Sequence, residues 1–389
     1  MEERSRRLTE FILSQIRDRG PVSFYDFMRW CLYHPQYGYY RSSDPMTGIS
    51  GDYYSSPCVH PLFGSLIARQ LRQMAHLLGS GRFEIVEMGG GKGYLCEDIL
   101  TWIKRNEPTF YDQLRYSLIE QAPLCVGEQK KRLSPLEEDG KVSWMDSREF
   151  GSIEVPWRFE GCFLSNELVD AFPVHRVIVH EGVLKEIYVA EEAGAFKEQW
   201  GELADPEILP YLESLAIPLA EGQTAEVNLE ALSWLETVAR RLERGFVLTI
   251  DYGHLARELY APQRVGGTLL CYFRHQFSEN PYERIGEQDI TSHVNFTALI
   301  RRGQELGLQL TGFVPQLHFL LGLGILEEME SIGKEMSPLE ALKLRLSIKH
   351  LIEPEVGMGE SFKVLVLHKG LHQPCLDGLR DLETIPWPH

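Results

Sequence analysis

"FEIVEMGGGKGYLCEDIL", residues 83–100, is the stretch of sequence that decides the fold. It passes from an apolar run typical of a buried strand, through an acid at Glu87, into four glycines within five positions, and then into helical spacing. Glycines allow a tight turn and let a ligand approach the backbone, while the amides at the start of a helix supply partial positive charge. The stretch therefore predicts a strand, a ligand-binding turn and a helix.

Strand and helix patterns alternate along the chain after this stretch. The strand patterns are RYSLIE, KVSWM, GCFLSNE, GFVLTIDYG and SFKVLVLHKG, and helical patterns cover 122–133, 226–244 and 296–307. Apolar runs separated by helices indicate a sheet covered on both faces. The predicted fold class is therefore α/β, a doubly wound and mostly parallel sheet, whose ligand lies beyond the carboxyl ends of the strands where the strand order reverses.

The same patterns predict the domain organisation. The predicted divisions are an N-terminal helical lobe over 1–75, a domain over 76–370 with insertions at about 173–225 and 252–295, and a tail over 371–389. Ser23 and Asp26, at capping distance, begin a helix of the lobe. "HRVIVHEGVLKEIYVA" in the first insertion alternates with period two around Glu181 and Gly182, which predicts a β-hairpin. The second insertion is too long for an ordinary connection and is expected to be functional.

Composition argues against several classes of protein. Fifty-six acidic against 39 basic residues give a formal charge of −17, which repels nucleic acid and favours a cationic partner. The longest apolar stretch, "FVPQLHFLLGLGIL", falls short of the roughly 18 residues that a membrane-spanning helix needs, so we predict no membrane insertion. Seven scattered cysteines without zinc-site spacing predict reduced thiols, no metal and a cytoplasmic location.

Glu87 indicates which ligand the glycine turn binds. A carboxylate there repels a pyrophosphate, and Tyr94 stands where GxGxxG requires its last glycine. The same carboxylate pairs with an ammonium group and tolerates a sulfonium, and S-adenosyl-L-methionine carries both. The predicted cofactor-binding residues are Glu87, Gly89, Gly91 and Gly93, with Glu120 for the ribose hydroxyls, Asp146 near the adenine, and Asn166. An acid at the end of a strand can also be exposed to solvent without binding a ligand. The prediction therefore rests on all of these residues occurring in this order and not on any one of them.

"SNELVDAFPVH", after the fourth strand, supplies the residues for the methyl acceptor. A guanidinium, whose pKa exceeds roughly 12, needs carboxylates that bind it through two hydrogen bonds and accept a proton during attack. Glu167 and Asp170 could form such a clamp, although Asp170 could instead cap a helical turn. For an oxygen or carbon acid, His275 or His293 could serve as the base. The predicted catalytic residues are Glu167, Asp170 and His293.

Two segments are predicted to close the pocket, namely "GISGDYYSSPCVHPLFG" at 48–64 and the sequence around 271–296. An interpretation of another class stays open beside the two enzymatic ones. The chain could bind the cofactor without turnover and grip a partner with the hairpin near 174–190 and the apolar segment near 313–326. A homodimer is also left open.

Several motifs resemble one family over nearly the whole length. They are YHPQYGYY, GDYYSSPCVHPLFG, VEMGGGKGYLCEDIL, IEQAPLCVGEQKKRL, LSNELVDAFPVH, IDYG, GTLLCYFRH, GEQDITSHVNFTAL and MGESFKVLVLHK, in the family's order. The chain resembles the MidA family of S-adenosylmethionine-dependent methyltransferases, related to a mitochondrial assembly factor that methylates an arginine of a respiratory complex I subunit. The resemblance implies a class I methyltransferase-like Rossmann fold, this cofactor, and a protein substrate with an accessible arginine, such as a respiratory complex subunit.

The sequence departs from the family's pattern at three places. The family usually has Glu where this chain has Cys58, Pro-Gly-Arg-Gly where residues 90–93 are Gly-Gly-Lys-Gly, and Asp at Asn295. The resemblance therefore implies that two carboxylates are missing from candidate pocket loops, at Cys58 and at Asn295.

Overall fold

The computed structural model describes residues 2–41, 56–79, 81–334, 336–354 and 357–381. Residues 48–55 of the first predicted pocket-closing segment therefore lie outside the described residues. The described residues form two compact units. Unit 1 takes its described residues from Met1–Tyr53, Val169–Leu235 and Gly253–Arg302, and unit 2 from Tyr54–Leu168, Glu236–Tyr252 and Gly303–His389.

The described residues form the following α-helices and β-strands. The α-helices are α1 Glu2–Arg19, α2 Phe24–Tyr33, α3 Ser56–Val59, α4 Leu62–Leu78, α5 Tyr94–Asn106, α6 Pro108–Gln113, α7 Pro123–Arg132, α8 Ser134–Glu138, α9 Ser147–Gly151, α10 Ile208–Leu215, α11 Leu229–Arg241, α12 Ala256–Leu259, α13 Phe296–Glu305, α14 Gln316–Gly322, α15 Ile325–Gly333 and α16 Pro338–Ile352. The strands are β1 Val22–Ser23, β2 Phe83–Met88, β3 Leu114–Ile119, β4 Val142–Met145, β5 Phe159–Asn166, β6 His175–His180, β7 Val183–Glu192, β8 Ala195–Gly201, β9 Thr224–Val227, β10 Leu242–His254, β11 Leu270–Phe273, β12 Gln276–Ser278, β13 Asp289–Thr291, β14 Val294–Asn295, β15 Gln309–Pro315 and β16 Phe362–Lys369.

Unit 2 contains the predicted doubly wound sheet. Its strand order is β15-β16-β10-β5-β2-β3-β4, in which β4, β3, β2, β5 and β10 are parallel and β16 is antiparallel to both of its neighbours. After β2 the chain adds β3 and β4 on one side, and it then crosses to β5 on the other. The strand order therefore reverses beside β2, and the predicted fold class is confirmed.

Apolar side chains explain why this sheet forms. Strand β2 buries Phe83 and Ile85 in the core into which α4 and α5 pack residues such as Phe63 and Ile99. Val86 is buried on the opposite face of the strand. Both faces of the central strands are covered, as expected of parallel strands. The glycine stretch therefore connects the carboxyl end of β2 to the start of α5, and both of these elements are buried.

Unit 1 is built around a five-stranded antiparallel sheet. Its path is β1-β7-β6-β9, with β8 pairing along β7. The predicted hairpin is confirmed as β6 and β7, and both turn residues, Glu181 and Gly182, have positive φ of 52° and 73° as a two-residue turn of this kind requires. Its apolar core includes Val177, Ile208 and Val227.

Two segments contain regular structure that the sequence patterns did not predict. The insertion at 252–295 contains a small antiparallel sheet, β12-β11-β13, because short apolar runs such as Leu270–Phe273 pair with each other. The apolar stretch at 313–326 is divided between the end of β15, α14 and the start of α15. Among the described helices, none combines the length and the apolarity needed to cross a membrane. The predicted divisions 1–75, 76–370 and 371–389 stay a prediction.

Candidate functional site

The candidate site lies at the carboxyl ends of the central strands of unit 2. Met88 pairs with Ile119 on one side and with Ser165 on the other, and Asn166 pairs with Ile250. Because the strands are parallel, the residues that follow them share one edge of the sheet. This edge carries the glycine turn after β2, Glu120 after β3, Glu167 after β5 and Asp251 in β10.

The glycine turn adopts a backbone that side chains rarely allow. Gly89, Gly91 and Gly93 have φ of 77°, 53° and 81°. A Cβ atom on Gly89 would lie 2.9 Å from the Leu168 side chain, whereas a Cβ on Gly91 would meet nothing within 4 Å. The turn is therefore closed toward Leu168 and leaves open space beside Gly91, which is the cradle expected for a ligand.

Glu87 is buried near the carboxyl end of β2. It is 2% exposed, and its Oε2 accepts a hydrogen bond of 2.9 Å from the Tyr116 hydroxyl. Burial raises the pKa of Glu87 to about 7; the Tyr116 hydrogen bond opposes this rise, and the charge of Glu120 adds to it. A cationic group bound beside Glu87 would favour its ionised form.

Glu120 connects the second strand to the glycine turn. Its Oε2 accepts from the Gly91 amide at 3.1 Å, and its Oε1 accepts from the amides of Gln121 and Ala122 at 2.8 and 2.9 Å. These bonds fix the carboxylate at the end of β3, where the sequence predicted an acid for the ribose hydroxyls.

Asp146 and Asn166 behave differently from each other. Asp146 is exposed and caps α9, since its side chain accepts from the Arg148 amide at 2.7 Å. A contact between Asp146 and an adenine stays a prediction. Asn166 is buried, and its Nδ2 donates to Glu167 Oε1 at 2.9 Å. The Asn166 Oδ1 has no hydrogen-bond partner among the described residues, so it can accept from a ligand.

Glu167 is held in a strained backbone conformation. Its φ is 51°, which is uncommon for any residue except glycine. Its backbone amide donates to the Ile250 carbonyl at 2.9 Å, and its Oε1 accepts from the Ser56 amide at 3.1 Å as well as from Asn166. Strain of this kind concentrates at functional sites, because the surrounding structure must enforce it.

Asp251 and Ser56 belong to this site, although the sequence analysis did not name them as site residues. Asp251 is fully buried, and its two carboxylate oxygens accept from the amides of Leu168 and Tyr252 at 3.2 and 2.9 Å. It therefore secures the turn that follows Glu167. The signal in the sequence was an acid that ends the apolar run of "VLTIDYG". Ser56 lies in the segment 48–64 that was predicted to close the pocket, but no pattern distinguished it from the other residues of that segment.

The other predicted catalytic residues lie in unit 1. Asp170 is buried, and its backbone carbonyl accepts from the Ser292 amide at 3.0 Å. Its pairing with Glu167 in one clamp stays a prediction. Burial, with the neighbouring charges of His254 and Arg264, lowers the pKa of His293 to about 4.

His275 and Asn295 also lie in unit 1. His275 is exposed, has a φ of 62° and lies in the turn between β11 and β12. Asn295 is a helix cap, because its Oδ1 accepts from the Ala298 amide at 3.1 Å at the start of α13. An Asp at this position would cap the helix in the same way, which is a structural role that the resemblance did not suggest.

The site of unit 2 fits S-adenosyl-L-methionine. Its polar groups are mostly acceptors, namely the carboxylates of Glu87 and Glu120 and the unpartnered Oδ1 of Asn166. A ligand with an ammonium group and ribose hydroxyls supplies donors that match these acceptors. The open space beside Gly91 gives the ligand access to the backbone. In the described chain, no group of three metal-ligating side chains accompanies these residues.

Comparisons with known proteins agree with this chemistry. Residues 66–314, more than half of the chain, match the model of a family described as "Putative S-adenosyl-L-methionine-dependent methyltransferase". A crystal structure from Burkholderia thailandensis, with bound S-adenosyl-homocysteine, is similar to 97% of this chain and 95% of its own, with 30% identity and a TM-score of 0.85. The predicted cofactor is thereby confirmed.

Curated relatives are more distant. The protein arginine methyltransferase NDUFAF7 homolog of Drosophila melanogaster is 27% identical over 95% of this chain and 86% of its own length. Human NDUFAF7, also named a protein arginine methyltransferase, is 24% identical over 92% of this chain and 82% of its own. Both are named as mitochondrial proteins, which contradicts the predicted cytoplasmic location. That prediction was wrong because scattered reduced cysteines do not distinguish one reducing compartment from another.

Proposed function

Because this chain belongs to a family of S-adenosyl-L-methionine-dependent methyltransferases, we propose that it methylates an arginine side chain of a protein. The names of its curated relatives, protein arginine methyltransferases from insect to human, support this acceptor. The structural observation that carries the proposal is the strained and doubly hydrogen-bonded Glu167 at the edge where the strand order reverses.

Glu167 has the chemistry that a guanidinium requires. A guanidinium stays protonated at neutral pH and spreads its charge over three nitrogens, so none of them is a good nucleophile. A carboxylate that accepts hydrogen bonds from two of these nitrogens localises the charge there and frees the third for attack. The Ser56 amide and the Asn166 amide group both donate to Glu167 Oε1. Those two bonds orient the carboxylate before the substrate binds.

The backbone around Glu167 supports this role. A φ of 51° disfavours the folded state by about 1–3 kcal/mol for a non-glycine residue. The bonds from the Glu167 amide to Ile250 and from the Leu168 amide to Asp251 hold the residue in place against that strain. Asp251 therefore acts as a positioning residue for Glu167.

The remaining residues divide into two roles. Glu87, Glu120, Asn166 and the glycine turn would hold the cofactor, which when bound supplies an electrophilic methyl group on a positively charged sulfur. Methyl transfer would form a bond between carbon and nitrogen and break the bond between carbon and sulfur, leaving S-adenosyl-homocysteine. The proton that the guanidinium loses would pass to the Glu167 carboxylate. Asp170 is the predicted second carboxylate of the clamp.

The alternative with a histidine base has less support. A neutral oxygen or carbon acid needs a base whose pKa is near the working pH, whereas burial and neighbouring charge bring the pKa of His293 to about 4. Glu167 acts on a cation, which its negative charge binds and orients, so its role does not depend on a high pKa. His275 is exposed in a hairpin turn. We therefore favour the carboxylate mechanism and the arginine acceptor over a small-molecule acceptor.

The substitution Glu167→Gln tests the proposal. The amide keeps the size of the side chain but removes the charge that orients the guanidinium and the site that accepts its proton. We expect kcat to fall by roughly 100-fold or more, while the dissociation constant for S-adenosyl-homocysteine changes by less than about twofold. Methyl transfer is measured with labelled cofactor and a cell extract, followed by mass spectrometry of the labelled proteins, and binding is measured by calorimetry.

Glu84→Gln is the matched control. Glu84 is a partly buried glutamate of β2 that accepts a hydrogen bond of 2.7 Å from Ser117, away from the glycine turn. It should keep kcat within about threefold of the original protein. Label that enters only small molecules, or a larger loss at His293→Gln than at Glu167→Gln, would contradict the proposal. A respiratory complex subunit as the acceptor and a homodimer stay predictions.

A further inference from the structure

Helix α7 places two side chains against the backbone of the glycine turn. Gln129 Nε2 donates to the Gly91 carbonyl at 2.7 Å, and Arg132 Nε donates to the Lys92 carbonyl at 3.1 Å. The two residues are three apart and so project from the same face of the helix. Two consecutive carbonyls of the glycine turn therefore accept hydrogen bonds from α7, the helix that follows β3.

Gln129 can make this bond in only one orientation. Its side chain is fully buried, and its Oε1 accepts from the Trp144 indole at 2.8 Å. The indole nitrogen can only donate, so the Gln129 oxygen must face Trp144 and its amino group must face Gly91. Packing adds to this restriction, because a Cβ on Gly93 would lie 3.2 Å from Gln129 Cγ.

Arg132 is fixed by three contacts. Its guanidinium lies 3.8 Å from the centre of the Tyr94 ring, its Nη1 donates to Glu97 at 2.7 Å, and its Nε bonds the Lys92 carbonyl. Tyr94 and Glu97 both belong to the first turn of α5. Arg132 thus connects α7 to the turn and to the helix that follows it.

We infer that Gln129 and Arg132 are positioning residues for cofactor binding, which act by fixing the backbone of the glycine turn. A peptide unit is planar, so bonding the carbonyl of Gly91 toward α7 directs the following amide away from α7. The open space beside Gly91 then keeps its shape before the ligand arrives. The inference rests on the turn holding the cofactor and not on which acceptor is methylated.

Gln129→Met, which has nearly the same length, tests this role. It leaves the Gly91 carbonyl and the Trp144 indole without their partners. Calorimetry with S-adenosyl-homocysteine should show binding weakened roughly tenfold or more. Amide hydrogen exchange at residues 89–93 should become faster, and in turnover assays KM for the cofactor should rise while kcat changes little.

Gln70→Met is the matched control. Gln70 is another fully buried glutamine of unit 2, which donates to Gln73 at 2.8 Å and accepts from the Gly378 amide at 3.0 Å. It should lower the melting temperature to a similar degree, yet leave the dissociation constant and the exchange of residues 89–93 as in the original protein.

Arg132→Lys keeps the charge and loses the planar fork that joins Lys92 to Glu97, so it tests the role even where Gln129→Met fails to fold. We expect binding weakened by roughly threefold to tenfold. Binding within twofold of the original protein in Arg132→Lys and in any folded Gln129→Met overturns the inference. That result leaves the arginine proposal standing, because it is judged on Glu167 and on the identity of the methylated product.

Discussion

Glu87 shows what the site requires of a single residue. The carboxyl group is almost completely buried, makes one described hydrogen bond to Tyr116, and forms no ion pair with the described residues. An ionised carboxylate in such a place disfavours the folded state unless a cation binds beside it. The protein therefore keeps a group whose charge is useful only when a ligand is present.

This placement predicts how stability depends on pH. Burial raises the pKa of Glu87 from 4.5 to about 7, so the folded protein holds a proton that the unfolded chain releases between these values. The contribution of Glu87 to stability is complete below pH 4.5 and is lost as the pH rises to about 7. The loss is about 3 kcal/mol, to be measured by urea unfolding between pH 4.5 and 8.

Glu87→Gln should flatten this part of the pH profile, because an amide does not titrate. Glu330→Gln, at an exposed position of α15, should leave the profile unchanged and serves as the control. A Glu87→Gln profile parallel to that of the original protein between pH 4.5 and 7 would show that Glu87 titrates at its ordinary pKa in the folded state.

Among single residues, the sequence could predict those whose role depends on neighbours in the same strand, turn or helix. Glu87 and the glycines belong to one strand, turn and helix, and Glu120 ends the next strand. Ser56 could not be predicted in the same way, because its amide bonds a residue 111 positions away in sequence. Gln129 was equally hidden, since a polar residue in a short helix usually faces solvent and only the fold reveals its bond to Gly91.

Helix α13 illustrates how an element can explain an unusual residue. Asn295 caps the helix through the Ala298 amide, and its Nδ2 donates to the Tyr211 hydroxyl at 2.9 Å. The resemblance implied a missing carboxylate at a pocket loop. The structure gives position 295 the role of a cap, which Asn and Asp fill about equally well.

Substitutions at Asn295 should therefore separate the two roles. Asn295→Ala loses the cap and the bond to Tyr211, so we expect a loss of about 2 kcal/mol in the free energy of unfolding. Asn295→Asp keeps the cap, and the Tyr211 hydroxyl can rotate to donate, so the loss should stay below about 1 kcal/mol. Urea unfolding measures both values. Equal losses in the two variants would assign the stability to the amide donor and not to the cap.

Among the elements, those with strong periodicity or turn chemistry were predicted from sequence. The turn at Glu181 and Gly182 and the apolar strands of unit 2 are examples. Strand β8 was missed because "AFKEQWG" is largely exposed and lacks an apolar face. Its pairing with β7, which only the structure shows, identifies it as a strand. The segment at 313–326 was treated as one unit because an apolar run shows no boundary between the end of β15 and α14.

At the scale of the whole molecule, the alternation of strands and helices determined the sheet but not the grouping of the chain. Both compact units draw on three separate stretches of sequence. A linear division at residue 75 follows changes of pattern along the chain, whereas compactness follows contacts between distant residues. The sequence pattern of a stretch does not show which unit the stretch belongs to, because both units are built from helices and strands.

The charge of the whole molecule leads to the last prediction, which rests on the proposed arginine acceptor. A formal charge of −17 creates a long-range field that attracts a basic protein segment and that salt screens within about 10 Å at 0.1 M. For a peptide with an arginine among basic residues, kcat/KM should fall by about fivefold to tenfold between 20 and 200 mM salt. A peptide with the same arginine among neutral residues should lose much less. Binding of S-adenosyl-homocysteine, which carries no net charge, should change little and reports on the integrity of the site. Equal salt dependence for both peptides would mean that the acceptor is recognised by contacts at the site alone, and that the acidic surface serves another purpose.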